Sequence, residues 1–148
     1  IFTAEVQAVH LSVLRPLPGA AEALAAAAPL PLAVVSNKQG PLLRREAAHL
    51  GWTGRFRALI GAGDCPADKP DPAPMRAALA AVGQGPSPAV WYVGDTRLDM
   101  EAARRAGLSA VLVGDAAHDG GVPAGLCDAC FADGHALAAY LSRLDKRR

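Results

Sequence analysis

The fold of this chain is constrained most by a regular alternation of short apolar runs with longer segments of helical character. The runs are apolar at nearly every residue rather than at every second one, so a strand formed from one needs cover on both faces. Helices that alternate with such strands supply this cover. We therefore predict an α/β fold, a Rossmann-like three-layer sandwich with helices on both faces of a parallel sheet.

Glycine and proline mark the boundaries of these elements. Pro16 and Pro18 separate a first helical segment from the rest, because proline fixes φ and lacks the N–H that a helix interior needs. Pro29 and Gly51 end two later helices. The predicted strands are residues 31–35, 56–60, 89–93 and 110–113. The predicted helices after the first segment are residues 20–28, 42–50, 74–82, 98–106 and 134–144.

Composition and charge exclude several classes of protein. The chain has 148 residues, is 51% apolar and 20% charged, and has a formal net charge of +1, which is typical of one globular domain. Its only basic run is residues 146–148, so nothing indicates a nucleic acid or an anionic membrane as partner. It also lacks a signal-like start and any uncharged apolar run of about 18 residues, and we expect a cytoplasmic protein.

Cysteine usage gives a weaker signal. The chain has three cysteines, an odd number that argues against a disulfide framework. Cys127-x-x-Cys130 invites a redox or zinc interpretation, but a zinc site needs a second ligand pair and only scattered His118 and His135 are nearby. The sequence favours small, buried, apolar thiols at both positions.

Polar side chains follow two of the predicted strands at their carboxyl ends, where parallel sheets bind ligands. Ser36 and Asn37 precede a helix, and together with backbone N–H groups they suit a phosphate, although both are also common turn and capping residues. Lys69 is followed by Pro70 and could deliver a fixed positive charge to the same anion. The alternative for Lys69 is a solvated lysine in a turn.

A third strand is followed by two carboxylates, Asp95 directly after it and Asp99 in the first turn of the next helix. Carboxylate oxygens without His or Cys beside them suit Mg²⁺. The alternative is capping, with Asp95 as N-cap and Thr96-x-x-Asp99 as a distorted capping box. An anion cradle, a fixed cation and a metal site together are the parts that phosphoryl transfer uses.

Three motifs, in this order and spacing, resemble the second, third and fourth motifs of the haloacid dehalogenase-like hydrolases. They are Val34-Val35-Ser36-Asn37-Lys38, Asp68-Lys69-Pro70-Asp71-Pro72 and Val93-Gly94-Asp95-Thr96-Arg97-Leu98-Asp99. The nearest pattern is the phosphoglycolate-phosphatase-like subgroup, for which residues 17–22 are also a typical lead-in to the core. The resemblance spans residues 15–115.

This resemblance implies hydrolysis of a small phosphorylated metabolite, a phosphomonoester, through an aspartyl-phosphate with Mg²⁺ as cofactor. Ser36 would hydrogen-bond the transferring phosphoryl group, helped by the backbone of Asn37. Lys69 would bridge the phosphate and the nucleophile. Asp95 would ligate the Mg²⁺, and Asp99 would be a second, often water-mediated, partner of the metal.

The first motif of the family, an Asp-x-Asp that supplies the nucleophile, is absent from the sequence, whose first aspartate is Asp64. In the family the strand that carries it lies between the first and third strands predicted here. Without it these two strands would face a gap lined with unpaired N–H and C=O groups, which are costly when buried. We therefore expect the chain to fold poorly alone unless another segment fills the gap.

The start of the chain fits the same interpretation. Its first residues form one stripe of an amphipathic helix, at Phe2, Val6, Val9 and Val13. By the resemblance, residues 1–14 are the last helix of a truncated helical cap, and residues 15–148 are the core domain without its first strand. Since the cap sets specificity in the family, these residues leave the substrate open.

Two other functions stay open from the sequence. One is a non-catalytic binding or scaffold protein of the same fold that has lost its nucleophile. The other is an unrelated doubly wound nucleotide-binding domain, which is weakened because Gly61-x-Gly63 lacks the third glycine of a dinucleotide fingerprint.

Overall fold

A computed structural model describes residues 10–147 of the chain. Residues 10–13 are helical, whereas the stripe positions Phe2, Val6 and Val9 lie outside the described residues. The strands are β1 (Ala33–Gln39), β2 (Ala58–Ala62), β3 (Trp91–Gly94), β4 (Ser109–Val113) and β5 (Ala129–Phe131). The helices after residue 13 are α1 (Ala20–Ala27), α2 (Gly40–His49), α3 (Ala73–Ala81), α4 (Arg97–Arg105) and α5 (Gly134–Asp145).

Each predicted strand and each helix predicted after residue 14 is present, with bounds that differ by a few residues. β1 extends to Gln39 because its pairing with β2, which becomes irregular after Val35, resumes at Gln39 opposite Ala62. β5 was not predicted from the sequence. It has only the three residues Ala129, Cys130 and Phe131, a run too short to predict a strand, and it is formed by pairing with β4.

All the strand pairs are parallel, which confirms the predicted α/β fold. β1 pairs with β2 in one sheet, and β3, β4 and β5 lie in that order in a second sheet. Crossovers between parallel strands are usually helices. The apolar runs and helical segments that alternate in the sequence therefore correspond to the strands and helices that alternate in the fold.

Helices cover both faces of the three-stranded sheet, as a three-layer sandwich requires. On one face Tyr92, Ala110 and Leu112 pack in a core with Met75 of α3 and Met100 of α4. Successive strand residues point to opposite faces, so Trp91 lies on the other face. There its ring stacks on Tyr140 of α5, with the ring centroids 5.8 Å apart.

The loop before α1 touches the start of α5. Gly19 has φ of 83°, and a Cβ placed there would lie 2.2 Å from the backbone nitrogen of His135. A Cβ at Gly134 would lie 2.7 Å from the carbonyl carbon of Gly19. Two glycines therefore allow the backbones to touch where α1 and α5 begin.

The sheet is interrupted between β1 and β3. Within residues 10–147 no strand pairs with both of them, and a cavity of about 450 Å³ lies between, lined by Val34, Val35, Tyr92 and Val93 among others. The gap that the resemblance predicts is therefore present. One hydrogen bond crosses it, from the Tyr92 hydroxyl to the carbonyl oxygen of Val35 at 2.9 Å.

The interruption also corrects one prediction about β3. The sequence predicts a strand buried on both faces, but Trp91 is 36% exposed and Val93 42% exposed. Both residues border the cavity, where no neighbouring strand covers them.

In the described part of the chain no helix is long and apolar enough to cross a membrane.

Candidate active site

The centre of the candidate site is an ion pair between Lys69 and Asp99. The Nζ of Lys69 lies 2.6 Å from Oδ1 of Asp99, and each side chain is only 8% exposed. Lys69 comes from the loop after β2, in which the Lys69–Pro70 peptide bond is cis, and Asp99 from the first turn of α4. Lys69 is therefore not the solvated turn lysine that the sequence left as an alternative.

Tyr92 of β3 is a member of this cluster that the sequence analysis missed. Its hydroxyl accepts a hydrogen bond from Nζ of Lys69 at 2.9 Å, and it lies 3.2 Å from Oδ1 of Asp99. Burial and the charge of Asp99 raise the pKa of Tyr92 far above its usual range, so the hydroxyl stays neutral. The sequence does contain a signal for this role, because Tyr92 places a polar hydroxyl group within the apolar run that directly precedes the aspartate motif.

Both carboxylate oxygens of Asp99 are engaged. Oδ2 accepts hydrogen bonds from the N–H groups of Asp95 and Thr96, each at 3.2 Å, and from the Thr96 hydroxyl at 2.9 Å. Thr96 in turn accepts from the Asp99 N–H at 3.2 Å, which completes a capping box with Thr96, not Asp95, as the N-cap. Burial opposes ionisation of Asp99, but Lys69 and the hydrogen bonds from Thr96 together outweigh it and lower the pKa of the carboxyl.

Asp95 differs from Asp99 in having an exposed carboxylate. Among residues 10–147 no group hydrogen-bonds its side-chain oxygens, although its N–H is held by Asp99. The described residues contain no cluster of three or more His, Cys, Asp or Glu side chains. One free carboxylate at a strand end fits Mg²⁺, which keeps several waters and takes one or two carboxylates, whereas both oxygens of Asp99 already accept hydrogen bonds.

The last residues of β1, beyond Val35, reach the same cluster through Asn37, so this part of the chain belongs to the strand and does not follow it as the sequence predicted. Its Nδ2 donates to the carbonyl oxygen of Lys69 at 3.0 Å, and its Oδ1 accepts from the Lys69 N–H at 3.1 Å. The hydroxyl of Ser36 accepts from the N–H of Lys38 at 3.1 Å, so the turn role that the sequence left open is present. A hydroxyl that accepts one bond still has a proton to donate, and phosphate binding by Ser36 is compatible with this turn.

The structure thus joins three strand ends by direct contacts. Asn37 holds Lys69, Lys69 contacts Tyr92 and Asp99, and Tyr92 contacts β1 at Val35. Ser36 and Asp95 are chain neighbours of this cluster, and among the described residues no hydrogen bond joins their side chains to it.

A second buried carboxylate lies beside the site and was also missed. Glu46 of α2 is 6% exposed, with Nζ of Lys38 at 2.5 Å and Nε2 of His10 at 2.6 Å. Burial works against ionisation, but these two partners lower the pKa of Glu46. Glu46 therefore ties the helical residues 10–13 to the segment that carries Ser36 and Asn37.

A second, larger cavity is not a candidate for the active site. It has a volume of about 670 Å³ and opens at the amino ends of β1 and β2, lined by Leu30, Phe56 and Arg57 among others. It contains none of the clustered polar side chains. The clustered polar side chains lie at the opposite ends of the strands, where parallel sheets bind ligands.

Comparison with known proteins agrees with the motifs. The family model for haloacid dehalogenase-like hydrolases matches residues 1–113. The chain is 42% identical over 78 residues to a phosphoglycolate phosphatase of Cereibacter sphaeroides, covering 52% of this chain and 34% of that protein. It is 38% identical over 105 residues to one of Neisseria meningitidis, covering 69% of this chain and 44% of that protein.

A solved structure shares the fold. A hydrolase of the same superfamily from Ehrlichia chaffeensis superposes with a TM-score of 0.74 at 30% identity, over 86% of this chain and 58% of that one. The chain thus spans less than half the length of these two curated relatives. The chain belongs to the haloacid dehalogenase-like hydrolases and, within them, resembles the phosphoglycolate-phosphatase-like subgroup.

Proposed function

We propose that the protein containing this chain is a Mg²⁺-dependent phosphomonoester hydrolase. The observation that carries the proposal is the Lys69 ammonium, nearly excluded from water and held by Asp99 and Tyr92 where three strand ends meet. A buried cation whose position is fixed in advance stabilises the charge of a transferring phosphoryl group without reorganisation. An ammonium has three N–H donors, so one remains for a phosphate oxygen after Tyr92 and Asp99 are bonded.

The phosphate would be bound at the carboxyl end of β1. Ser36 would donate its hydroxyl proton to a phosphoryl oxygen, and the backbone N–H of Asn37 would donate a second hydrogen bond. The side chain of Asn37 has a different task, because both of its polar atoms hold the backbone of Lys69. Asn37 therefore fixes the distance between the phosphate cradle and the lysine.

Asp95 would be the direct Mg²⁺ ligand, supported by its exposed carboxylate and its place after β3. When bound, the ion would neutralise charge on the phosphoryl oxygens. Asp99 would act on this site indirectly: it anchors Lys69 and holds the backbone of Asp95 in place. The resemblance implies that Asp99 is a second, often water-mediated, partner of the metal, and this proposal gives it the positioning of Lys69 and Asp95 as well.

The nucleophilic aspartate would lie on a strand that occupies the gap between β1 and β3. Two features support this assignment: these two strands flank a cavity of about 450 Å³, and the curated relatives are more than twice as long as the regions they share with this chain. A strand in this gap would end beside Lys69 and Asp95. The chain alone would then be inactive.

The substrate would be a small phosphorylated metabolite. Phosphoglycolate is the first candidate, because the relatives that share residues with this chain are phosphoglycolate phosphatases. Specificity among such metabolites would be set by the cap, of which residues 10–147 would contain only the end of the last helix.

The test is hydrolysis of p-nitrophenyl phosphate and phosphoglycolate by the full-length protein, with Mg²⁺ and with the metal chelated. We expect activity only with Mg²⁺, and its loss in Asp95→Asn and Lys69→Ala. Asp145→Asn, at the exposed end of α5, is the matched control and should keep full activity. Because Lys69→Ala leaves the buried carboxylate of Asp99 without its cation and so destabilises the fold, the exposed Asp95 provides the decisive variant. Full activity in Asp95→Asn would refute the metal assignment, and no hydrolysis of either ester would favour a non-catalytic protein.

A further inference from the structure

The cysteines of the Cys-x-x-Cys motif lie in contact, away from the candidate active site. The sulfur atoms of Cys127 and Cys130 are 2.7 Å apart. Cys127 precedes β5, is half-buried and packs against the core, whereas Cys130 lies within β5 and is exposed. The prediction of two buried thiols is therefore wrong for Cys130. Its position in the edge strand is the reason, because α4 packs mainly on β3 and β4.

The backbone around these two thiols is fixed on both sides. Arg104 of α4 donates to the carbonyl oxygens of Leu126 at 3.0 Å and Gly125 at 3.1 Å, and forms an ion pair with Asp128 at 3.0 Å. Asp128 exchanges two further hydrogen bonds with the backbone of Ala110 in β4. Cys127 is thus held between anchored neighbours while strand pairing with β4 fixes Cys130, so the two sulfur atoms are brought together by the fold.

A metal site does not fit this pair. Structural zinc takes four ligands. Within residues 10–147 no third His, Cys, Asp or Glu joins the two cysteines in a group that could hold a metal ion. Two adjacent thiols without further ligands are instead suited to disulfide formation, in which each sulfur needs only the other.

We propose that Cys127 and Cys130 form a reversible intramolecular disulfide by exchange with a low-molecular-weight disulfide such as oxidised glutathione. The thiolate of exposed Cys130 attacks one sulfur of glutathione disulfide, forms a mixed disulfide and releases one glutathione thiolate. The thiolate of Cys127 then attacks the sulfur of Cys130, closes the internal disulfide and releases the second glutathione. The two protein thiols give up two protons and two electrons, and one glutathione disulfide becomes two glutathione molecules.

At this edge strand the pair of thiols can protect the protein from lasting adducts on Cys130. An exposed thiol on an edge strand would otherwise keep its mixed disulfide or join two copies of the protein. Cys127 resolves such adducts because its sulfur already touches that of Cys130. The hydrogen bond with Cys127, together with burial, raises the pKa of Cys130, so the first attack is expected to be slow at neutral pH.

The test is incubation of the full-length protein with oxidised glutathione, followed by alkylation of free thiols and peptide mapping. We expect Cys127 and Cys130 to lose alkylation together and to appear in one disulfide-linked peptide, and dithiothreitol to reverse this. Cys65, in the loop after β2, is an internal control that should remain alkylated. In Cys127→Ser, Cys130 should accumulate a stable glutathione adduct that the unchanged protein does not keep.

Three results would overturn the proposal. One is a lasting glutathione adduct on Cys130 of the unchanged protein while Cys127 stays free. The second is a disulfide that joins either residue to Cys65, and the third is full alkylation of both cysteines after prolonged incubation. If Cys127→Ser does not fold, the same comparison can be made with Cys127→Ala, and the linked peptide of the unchanged protein decides the matter without any variant.

Discussion

At the scale of single residues, Asp99 combines two tasks that usually fall to different side chains. One of its oxygens neutralises Lys69, and the other accepts the hydrogen bonds that begin α4. Since both tasks need the ionised carboxylate, protonation of Asp99 should loosen the lysine and the helix start together. Its pKa therefore links the stability of the fold to the geometry of the site.

The pH dependence of stability should reveal this link. The folded-state pKa of Asp99 lies below its ordinary value of 3.8, so its ionised form contributes stability above that pH, and this is lost as the pH falls through the folded pKa. We expect the free energy of unfolding of Asp99→Asn to fall less steeply below pH 3.8 than that of the unchanged protein. Urea unfolding at a series of pH values measures this. Asp145→Asn should follow the unchanged protein, and parallel curves for all three would contradict the prediction.

Gly94 is the residue that allows Asp99 to approach β3. A Cβ added at Gly94 would lie 2.4 Å from Cβ and 2.5 Å from Cγ of Asp99. Relieving this overlap must displace Asp99, and we expect Gly94→Ala to lower the free energy of unfolding by about 1–3 kcal/mol. Gly85→Ala is the control, because nothing lies within 4 Å of its added Cβ. If the two variants were equally stable in urea, the segment around Asp99 would move aside without a cost in free energy, and the prediction would be wrong.

At the scale of elements, the capping box of Thr96 and Asp99 determines where α4 begins. Thr96→Ala removes the side-chain acceptor for the Asp99 N–H and a donor to its carboxylate, and we expect it to cost about 0.5–2 kcal/mol of stability. Thr96→Ser keeps the hydroxyl and should recover most of this loss. Thermal or urea unfolding of both variants measures the difference. A serine variant as unstable as the alanine variant would assign the effect to the lost methyl group instead.

The elements also show where sequence patterns succeed. The apolar runs predicted β1 to β4, and proline and glycine predicted the ends of the helices within a few residues. β5 escaped because a three-residue edge strand needs no run of its own: its pairing with β4 and the packing of Phe131 on Tyr140 form it. Short elements of this kind depend on neighbours that lie far away in the sequence.

At the scale of the whole molecule, the interruption between β1 and β3 is the main structural weakness. Strand edges that face a cavity leave N–H groups without strand partners, and such groups exchange their hydrogens quickly. We expect the amides of β1 and β3 that point into the gap to exchange rapidly in the 148-residue chain. They should become protected in the full-length protein if, as we propose, a further strand enters the gap.

Hydrogen exchange followed by mass spectrometry measures this difference. The amides of β4, which has neighbours on both sides, are the internal control and should be protected in both forms. Equal protection of β1 and β3 in the two polypeptides would mean that no added strand enters the gap.

The sequence by itself determined the α/β class, the parallel sheet, the positions of Ser36, Lys69 and Asp95 near strand ends and that of Asp99 in the first turn of a helix, because periodicity and turn residues act locally. Only the tertiary structure decided what these side chains do to one another. Whether Lys69 is solvated or buried, and which groups the carboxylate of Asp99 binds, depends on contacts between residues 30 positions apart in the chain. Burial and ion pairing are set by such distant neighbours, and a local pattern contains no information about them.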